Sequence, residues 1–329
     1  MVTIIINPLS GARGRRDLGP ARAAFATRLF QMRGVDANVC VSQYPGHAIS
    51  LAREAVAGGA SLVCAWGGDG TLNEVGTALV DTGIPVAVIP AGSGNGFARE
   101  LGMSLNPEEA FGVALSGQDR LIDAGEIGGR LFFNVAGIGL DAQIAAAFNT
   151  HAAHRRGFWR YVGIGWRELM TYRPGSYRIE SNGQRFDRDA IMVVLANLRQ
   201  YGNGAYIAPQ AEPDDGRLDL VVVEARSTPR AFLLTWRLFA KSLHRASGIL
   251  TRRVSRVTIS SNTPLLCHVD GEAFDAGLEV TAIVRPRALK VRVPISPASS
   301  AVLGSGTNEG CQPRSEGALR HPRAQLRLS

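Results

Sequence analysis

Several things are scarce in this chain of 329 residues, and each scarcity removes a class of protein from consideration. No apolar run reaches the roughly 18–20 residues that a bilayer-spanning helix requires. The opening run Val2 to Ile6 lacks the basic flank and cleavage site of a signal peptide and reads as a strand. Cysteine is sparse: Cys40, Cys64, Cys267 and Cys311 stand far apart, with no C-x-x-C pair and no zinc constellation. Cys40 and Cys64 lie inside apolar runs and read as small buried hydrophobes. His151 and His154 fall at helical spacing but have no third ligand nearby in sequence. These absences set the expectation of a cytoplasmic, reducing location. The Walker A pattern and the protein-kinase motif set are missing too. Basic residues are scattered and no nucleic-acid-binding motif occurs, so no nucleic-acid partner is expected.

What remains is a globular composition, 45% hydrophobic and 19% charged. The length exceeds one typical domain and leads to an expectation of two. Thirty-six Lys+Arg against 28 Asp+Glu give a net charge of +8, which favours anionic partners such as nucleotides, phosphates or acidic lipid surfaces.

The first half alternates strand and helix signals. VTIII (2–6), ANVCVS (37–42), SLVCAW (61–66) and PVAVIP (85–90) read as strands. Helices are expected over 18–32, 47–57 and 72–80, with Gly34, Gly58 and Gly59 as stops. That alternation predicts a doubly wound parallel sheet, an α/β fold, over residues 1–122. From there short strand-like runs separated by Gly, Pro, Asn and Asp predict an antiparallel β-sandwich over 123–295, interrupted by helices near 155–171 and 229–244. Residues 296–329 are rich in Ser, Pro, Gly and Arg without periodicity and read as a disordered tail.

Two glycine-rich loops carry the chemistry. Gly67-Gly68-Asp69-Gly70-Thr71-Leu72-Asn73-Glu74 follows the third strand and opens a helix. Glycines let the backbone approach a ligand closely, so consecutive N–H groups can surround a phosphate, and the helix adds its positive end. Asp69 is too acidic to be a phosphate ligand and suits Mg²⁺ or a proton. Pro90-Ala91-Gly92-Ser93-Gly94-Asn95-Gly96 follows the fourth strand and enters another helix. Parallel strands place both loops at one carboxyl edge, where α/β proteins bind ligands. Gly92-x-Gly94 lacks the third glycine of the dinucleotide fingerprint and follows the fourth strand rather than the first, which argues against a Rossmann dehydrogenase.

GGDGTLNEV (67–75) together with PAGSGNGFARELG (90–102) resembles the catalytic domain of diacylglycerol kinases, sphingosine kinases and their bacterial lipid-kinase relatives. INPLSGARG (6–14), FNVAGIGLDAQI (133–144), YGNGAYIAPQAEPDDGRLDLVVV (201–223) and HVDGEAF (268–274) are similar to further family segments, in family order. The resemblance covers about residues 2–294. The second loop departs from the usual bacterial pattern, and its Gly-Ser-Gly-Asn form is closer to sphingosine and ceramide kinases.

The resemblance implies an ATP-dependent lipid kinase acting on a hydroxyl of a diacylglycerol-like or sphingoid lipid. ATP phosphates would lie at Gly67 to Glu74 and at Gly92, Ser93 and Asn95, with Asn7 and Ser42 at further nucleotide positions. A structural Mg²⁺ would bind Asp215 and the backbone carbonyls of Glu212 and Arg217. Read alone, Asp214-Asp215-Gly216 is a turn before the strand LDLVVV. The proton acceptor would lie in Asp270-Gly271-Glu272, although sphingosine kinases are thought to use the GGDG aspartate. Read alone, Asp270-Gly271 is a good two-residue hairpin turn.

Phe232, Leu233, Trp236, Phe239, Ala240 and Leu243 form one apolar stripe, which favours core packing. The alternative is docking on an anionic membrane surface, for which Arg155, Arg156, Trp159, Arg160, Trp166 and Arg167 form a comparable basic-aromatic segment. Such contact would be peripheral, at the inner membrane face, and a homodimer stays open. An NAD kinase-like phosphotransferase and a non-catalytic lipid- or nucleotide-binding protein are the rival readings.

Overall fold

Five consecutive apolar residues are buried together only when both faces of their strand are covered. β1 (Val2–Ile6) meets that condition in the computed structural model, which describes residues 1–11, 18–151, 158–224 and 236–295. The expected tail, 296–329, lies outside the described residues, as do Cys311 and the side chains of His151, His154, Arg155, Arg156, Trp159 and Arg160. After β1 come α1 (Leu18–Met32), β2 (Ala37–Val41), α2 (His47–Ala57), β3 (Leu62–Gly67), α3 (Asp69–Leu79), β4 (Val86–Pro90), α4 (Gly96–Glu100) and α5 (Pro107–Ser116). The four strands run parallel in the order β2-β1-β3-β4, and every residue of β1, β3 and β4 is buried. Their carboxyl ends are level: Ile6 sits opposite Val41 and Trp66, and Gly67 opposite Pro90. Asn7, Ser42, Gly68 and Ala91 therefore leave the sheet along one edge.

The second half is antiparallel. It contains β5 (Gln118–Ile127), β6 (Arg130–Phe132), β7 (Val135–Gly139), α6 (Leu140–His151), α7 (Phe158–Thr171), β8 (Gly175–Ser181), β9 (Gln184–Ala196) and β10 (Leu218–Glu224). A 3₁₀ turn (Leu243–Arg245) then leads to β11 (Ile249–Val254), β12 (Arg256–Ser261), β13 (Leu266–Val269), β14 (Glu272–Asp275) and β15 (Glu279–Val293). β15 pairs antiparallel with β12 and β5, then finishes parallel to β4 with Val291 opposite Val86. Its Leu289, Val291 and Val293 join the apolar core of the parallel half. Separate cores form among β7, β9, β10, β12 and β13. β5 crosses residue 122, and residues 1–294 make one compact unit.

Several elements differ from expectation. α3 begins at Asp69 rather than Leu72, because its first turn is closed by the bond from Leu72 N to Gly68 O. α5 and α6 were not expected. The run RLFFNVAG splits into β6 and β7, since the amides of Phe133 and Asn134 turn aside to a side chain. Cys64 is buried as expected, whereas Cys40 is only half-buried. Of the helix expected over 229–244, residues 229–235 lie outside the described residues. Trp236 is 71% and Phe239 41% exposed, so core packing fails at those two positions, while Leu243 is buried.

Candidate active site

The first loop is built onto the end of β1. Asn7 Oδ1 accepts from Leu9 N at 2.9 Å, and its Nδ2 donates to Thr71 Oγ1 at 2.9 Å. Position 67 must be glycine, because a Cβ there would stand 2.3 Å from Thr71 Oγ1. Gly68 N donates to Ser10 Oγ at 3.3 Å. The amides of Asp69, Gly70 and Thr71 open α3, where no earlier turn of the helix offers carbonyls, so they suit an anion. Arg22 braces the loop from outside, donating to Asn7 O and Ser10 O at 2.9 and 2.8 Å.

The second loop lies directly against the first. Ala91 N donates to Gly67 O at 2.7 Å, and a Cβ on Gly92 would come 2.7 Å from Gly68 Cα. Asn95, in the left-handed region with φ 48°, closes the loop on itself: its Oδ1 accepts from Gly92 N at 2.8 Å and its Nδ2 donates to Gly92 O at 2.9 Å. Asp69 crosses between the loops, its two oxygens accepting from Gly96 N and Phe97 N at 3.2 Å each. Burial raises the Asp69 pKa, those two amides oppose the shift, and the charge of Asp270 adds to it. Ser93 is exposed, and its carbonyl accepts from Asn203 Nδ2 at 3.2 Å.

The third part is the turn joining β13 to β14. Asp270 (φ 47°) and Gly271 (φ 93°) both take positive φ, as a tight two-residue hairpin requires. The Asp270 carboxylate accepts four hydrogen bonds. Oδ2 takes Phe133 N and Asn73 Nδ2 at 2.9 Å each, and Oδ1 takes Asn134 N at 2.9 Å and Val135 N at 3.0 Å. Burial pushes its pKa up, against those bonds. Four hydrogen bonds thus hold that carboxylate in place. Glu272, by contrast, is exposed at the start of β14, with Oε1 only 3.8 Å from where a Cβ on Gly70 would stand. Its carboxylate therefore reaches the opening turn of α3.

Other expected residues are placed elsewhere. Ser42 is buried at the end of β2, its amide donating to Ile6 O. Glu74 caps α2, accepting from Gly46 N and Ala48 N at 3.1 Å each. Asn73 spends its amide on Leu131 O and Asp270. At the turn expected to hold metal, Asp215 Oδ1 accepts from Arg217 N at 2.9 Å, and its Oδ2 lies 3.4 Å from Arg253 Nη1. Glu212 Oε1 lies 3.6 Å from Arg253 Nη2. A guanidinium thus stands beside both carboxylates of this turn, while the expected set for Mg²⁺, the Asp215 carboxylate with the backbone carbonyls of Glu212 and Arg217, is all oxygen and fits that ion. Among the described residues no group of three or more His, Cys, Asp or Glu could hold a metal ion.

Residues that sequence reasoning did not single out complete the picture. Asp123, fully buried, accepts from Gly216 N at 2.6 Å and Arg287 N at 2.7 Å and ties the Asp215 turn to β15. Asp141 and His268 form a buried pair behind the Asp270 turn. Both lie within segments whose resemblance was noted, FNVAGIGLDAQI and HVDGEAF, and that was the available signal.

Comparison with known proteins places the two glycine loops and the acidic hairpin in two matched domains. Residues 1–127 match the diacylglycerol kinase catalytic domain, and residues 134–293 match the YegS C-terminal NAD kinase beta sandwich-like domain. A Pseudomonas fluorescens protein named "Probable lipid kinase YegS-like" is 31% identical over 277 residues, covering 83% of this chain and 90% of that one. The chain belongs to the diacylglycerol kinase family. Another family member, a diacylglycerol kinase of Mycobacterium tuberculosis, is 31% identical over 304 residues, covering 89% of this chain and 95% of its own. The crystal structure of a diacylglycerol kinase from Bacillus anthracis has the same fold, with a TM-score of 0.68 at 22% identity, covering 91% of this chain and 97% of that chain.

Proposed function

We propose that this member of the family transfers the γ-phosphoryl group of ATP to a hydroxyl of a diacylglycerol-like or sphingoid lipid. One observation carries the reading: Asp69 and Glu272 converge on the opening turn of α3, one from each half of the chain. The amides from Asp69 to Thr71 and the Gly92–Asn95 loop cradle the phosphates, and Asn7 and Ser42 line the same edge. Phosphoryl transfer needs in-line positioning, neutralisation of charge and a group that orients the attacking hydroxyl. Asp69 would hold Mg²⁺ arriving with ATP, and that ion would supply the neutralisation. Asp69 is the carboxylate in place beside the phosphates, and Glu272 takes the proton of the lipid hydroxyl. Asp270 holds the hairpin that presents Glu272, and no step runs through the Asp215 turn.

Access to a lipid follows from the exposed apolar side chains Trp166, Met170, Trp236 and Phe239 on a chain of net charge +8. Among the described residues no helix is long and apolar enough to cross a membrane. We therefore read the contact as peripheral, on an anionic surface such as the inner membrane face.

Labelled ATP offered with diacylglycerol, monoacylglycerol, phosphatidylglycerol, sphingosine, ceramide and NAD tests the reading. Phosphate should appear in one of the lipids. Labelled NADP as sole product would instead establish the NAD kinase alternative, and no product at all would favour a binding protein.

A further inference from the structure

His268 and Asp141 are 3% and 5% exposed, a buried pair of titratable groups beside the hairpin that carries Glu272. His268 Nδ1 lies 3.3 Å from the Gly271 amide, which donates to it, and Nε2 lies 3.2 Å from Asp141 Oδ2. A ring nitrogen that accepts leaves the proton on the other one. The neutral Nε2–H tautomer therefore satisfies both contacts, donating to Asp141 while accepting from Gly271.

Asp141 is itself held from three directions. Its Oδ1 accepts from Ala142 N at 2.9 Å, its Oδ2 accepts from Tyr201 Oη at 3.2 Å, and Gly137 leaves it room, since a Cβ there would lie 1.8 Å from Oδ2. The carbonyl of Tyr201 in turn packs on Gly96, where a Cβ would come within 2.5 Å of it. One continuous chain of contacts thus runs from the second glycine loop through Tyr201, Asp141 and His268 to the amide of Gly271, the residue before Glu272. β14 terminates the sheet and pairs with β13 alone among the described strands, so its first residue needs a further tie to keep a fixed height.

We propose that His268 is a positioning residue for phosphoryl transfer: by gripping the Gly271 amide against Asp141, it sets where the Glu272 carboxylate stands over α3. This rests on the reading of Glu272 as the proton acceptor. Misplacing a reacting group by about 1 Å can cost about 10²-fold in rate. Removing the grip should therefore act on turnover and leave ATP binding alone.

The test compares steady-state kinetics and thermal melting of His268→Leu and His268→Gln, each alone and combined with Glu272→Gln. The acceptor is dioctanoylglycerol in detergent micelles, or the lipid that the panel above selects. His268→Leu should lower kcat about 10- to 100-fold with KM for ATP within about twofold. His268→Gln, whose amide can both donate to Asp141 and accept from Gly271, should recover most of that loss. In the Glu272→Gln background the leucine substitution should cost less than about threefold, because coupled residues are not additive. Equal losses in both backgrounds would overturn the proposal, as would a leucine effect confined to KM. So would a glutamine variant that melts normally yet turns over as slowly as the leucine one. Should His268→Leu not fold, His268→Asn, one methylene too short to span both partners, takes its place. A Glu272→Gln enzyme with full turnover would overturn the base assignment itself, a result separable from all of these.

Discussion

Asn73 Nδ2 donates to Asp270 Oδ2 across 2.9 Å, although 197 positions separate the two residues in the chain. The same oxygen takes the Phe133 amide, so one carboxylate fixes α3 of the parallel half against β7 and the β13–β14 hairpin of the antiparallel half. Replacing it by an amide, Asp270→Asn, turns an N–H₂ toward groups that are all donors. Each buried donor left without an acceptor costs about 1–3 kcal/mol. Two such losses, about 3 kcal/mol together, lower Tm by roughly 5 °C for a compact unit of this size. Calorimetry should record that drop, and an unchanged Tm would mean that Asp270 is free to do chemistry.

Glu272→Gln should behave in the opposite way. Glu272 is exposed, so its replacement by an isostere should leave Tm unchanged. A general base contributes about 10²–10⁴-fold, and kcat should fall by that factor with KM for ATP nearly constant. Initial-rate measurements decide it.

Asp69→Asn keeps one acceptor for the amides of Gly96 and Phe97 but brings an N–H₂ against the other. Turnover should fall by at least ~10²-fold, the lower range for a positioned electrostatic or acid–base group. If Asp69→Asn is inactive while Glu272→Gln turns over normally, the proton acceptor is Asp69.

Gly92→Ala tests the contact between the loops. The new methyl would stand 2.7 Å from Gly68 Cα and 2.8 Å from Asn95 Oδ1, neither of which is the end of a long flexible side chain. The loops must part, and nucleotide affinity should drop at least ~10-fold, since overpacking costs about 1–3 kcal/mol. Gly112→Ala, on a helix with open space beside it, serves as the control.

Asp219 makes a prediction about pH. Burial raises its pKa from 3.8 to about 6, with Arg253 opposing and Asp215 and Glu212 adding to the rise. Between those values the folded state binds more protons than the unfolded one, so this group's contribution to stability falls as pH rises through 3.8 to about 6 and stays low above it. Asp219→Asn should therefore gain Tm over the parent as pH rises through that window, and the two melting curves should converge below it. A constant difference across the window would mean that Asp219 is not shifted.

Much of this was legible in the residues because local signals were strong. The β-branched run at Val2–Ile6 and the helix from His47 to Ala57 begin and end where the sequence places them. The α3 start was read late because Gly-Asp-Gly has poor helix propensity, whereas the first turn here is fixed by what surrounds it: Thr71 against Gly67 and Asn7, and Asp69 against Gly96. α5 is unexpected although an Asn106 cap, Pro107 and two acids in its first turn form a start signal. The hydrogen-bond partners of Asp270 are not legible at all. Its donors at residues 133–135 lie in a segment whose apolar run looks like uninterrupted strand, and only folding brings the two together.

The route of β15 bears on how the molecule is made. A ribosome delivers β1 to β4 first, yet the free side of β4 is covered by Val291 and Arg292, and Leu289, Val291 and Val293 complete the same core. The edge of β4 therefore stays unpaired, open to other chains, until the last of the described strands emerges. A gene cut between residues 127 and 134 would yield two fragments that each lack a closing strand or its partner.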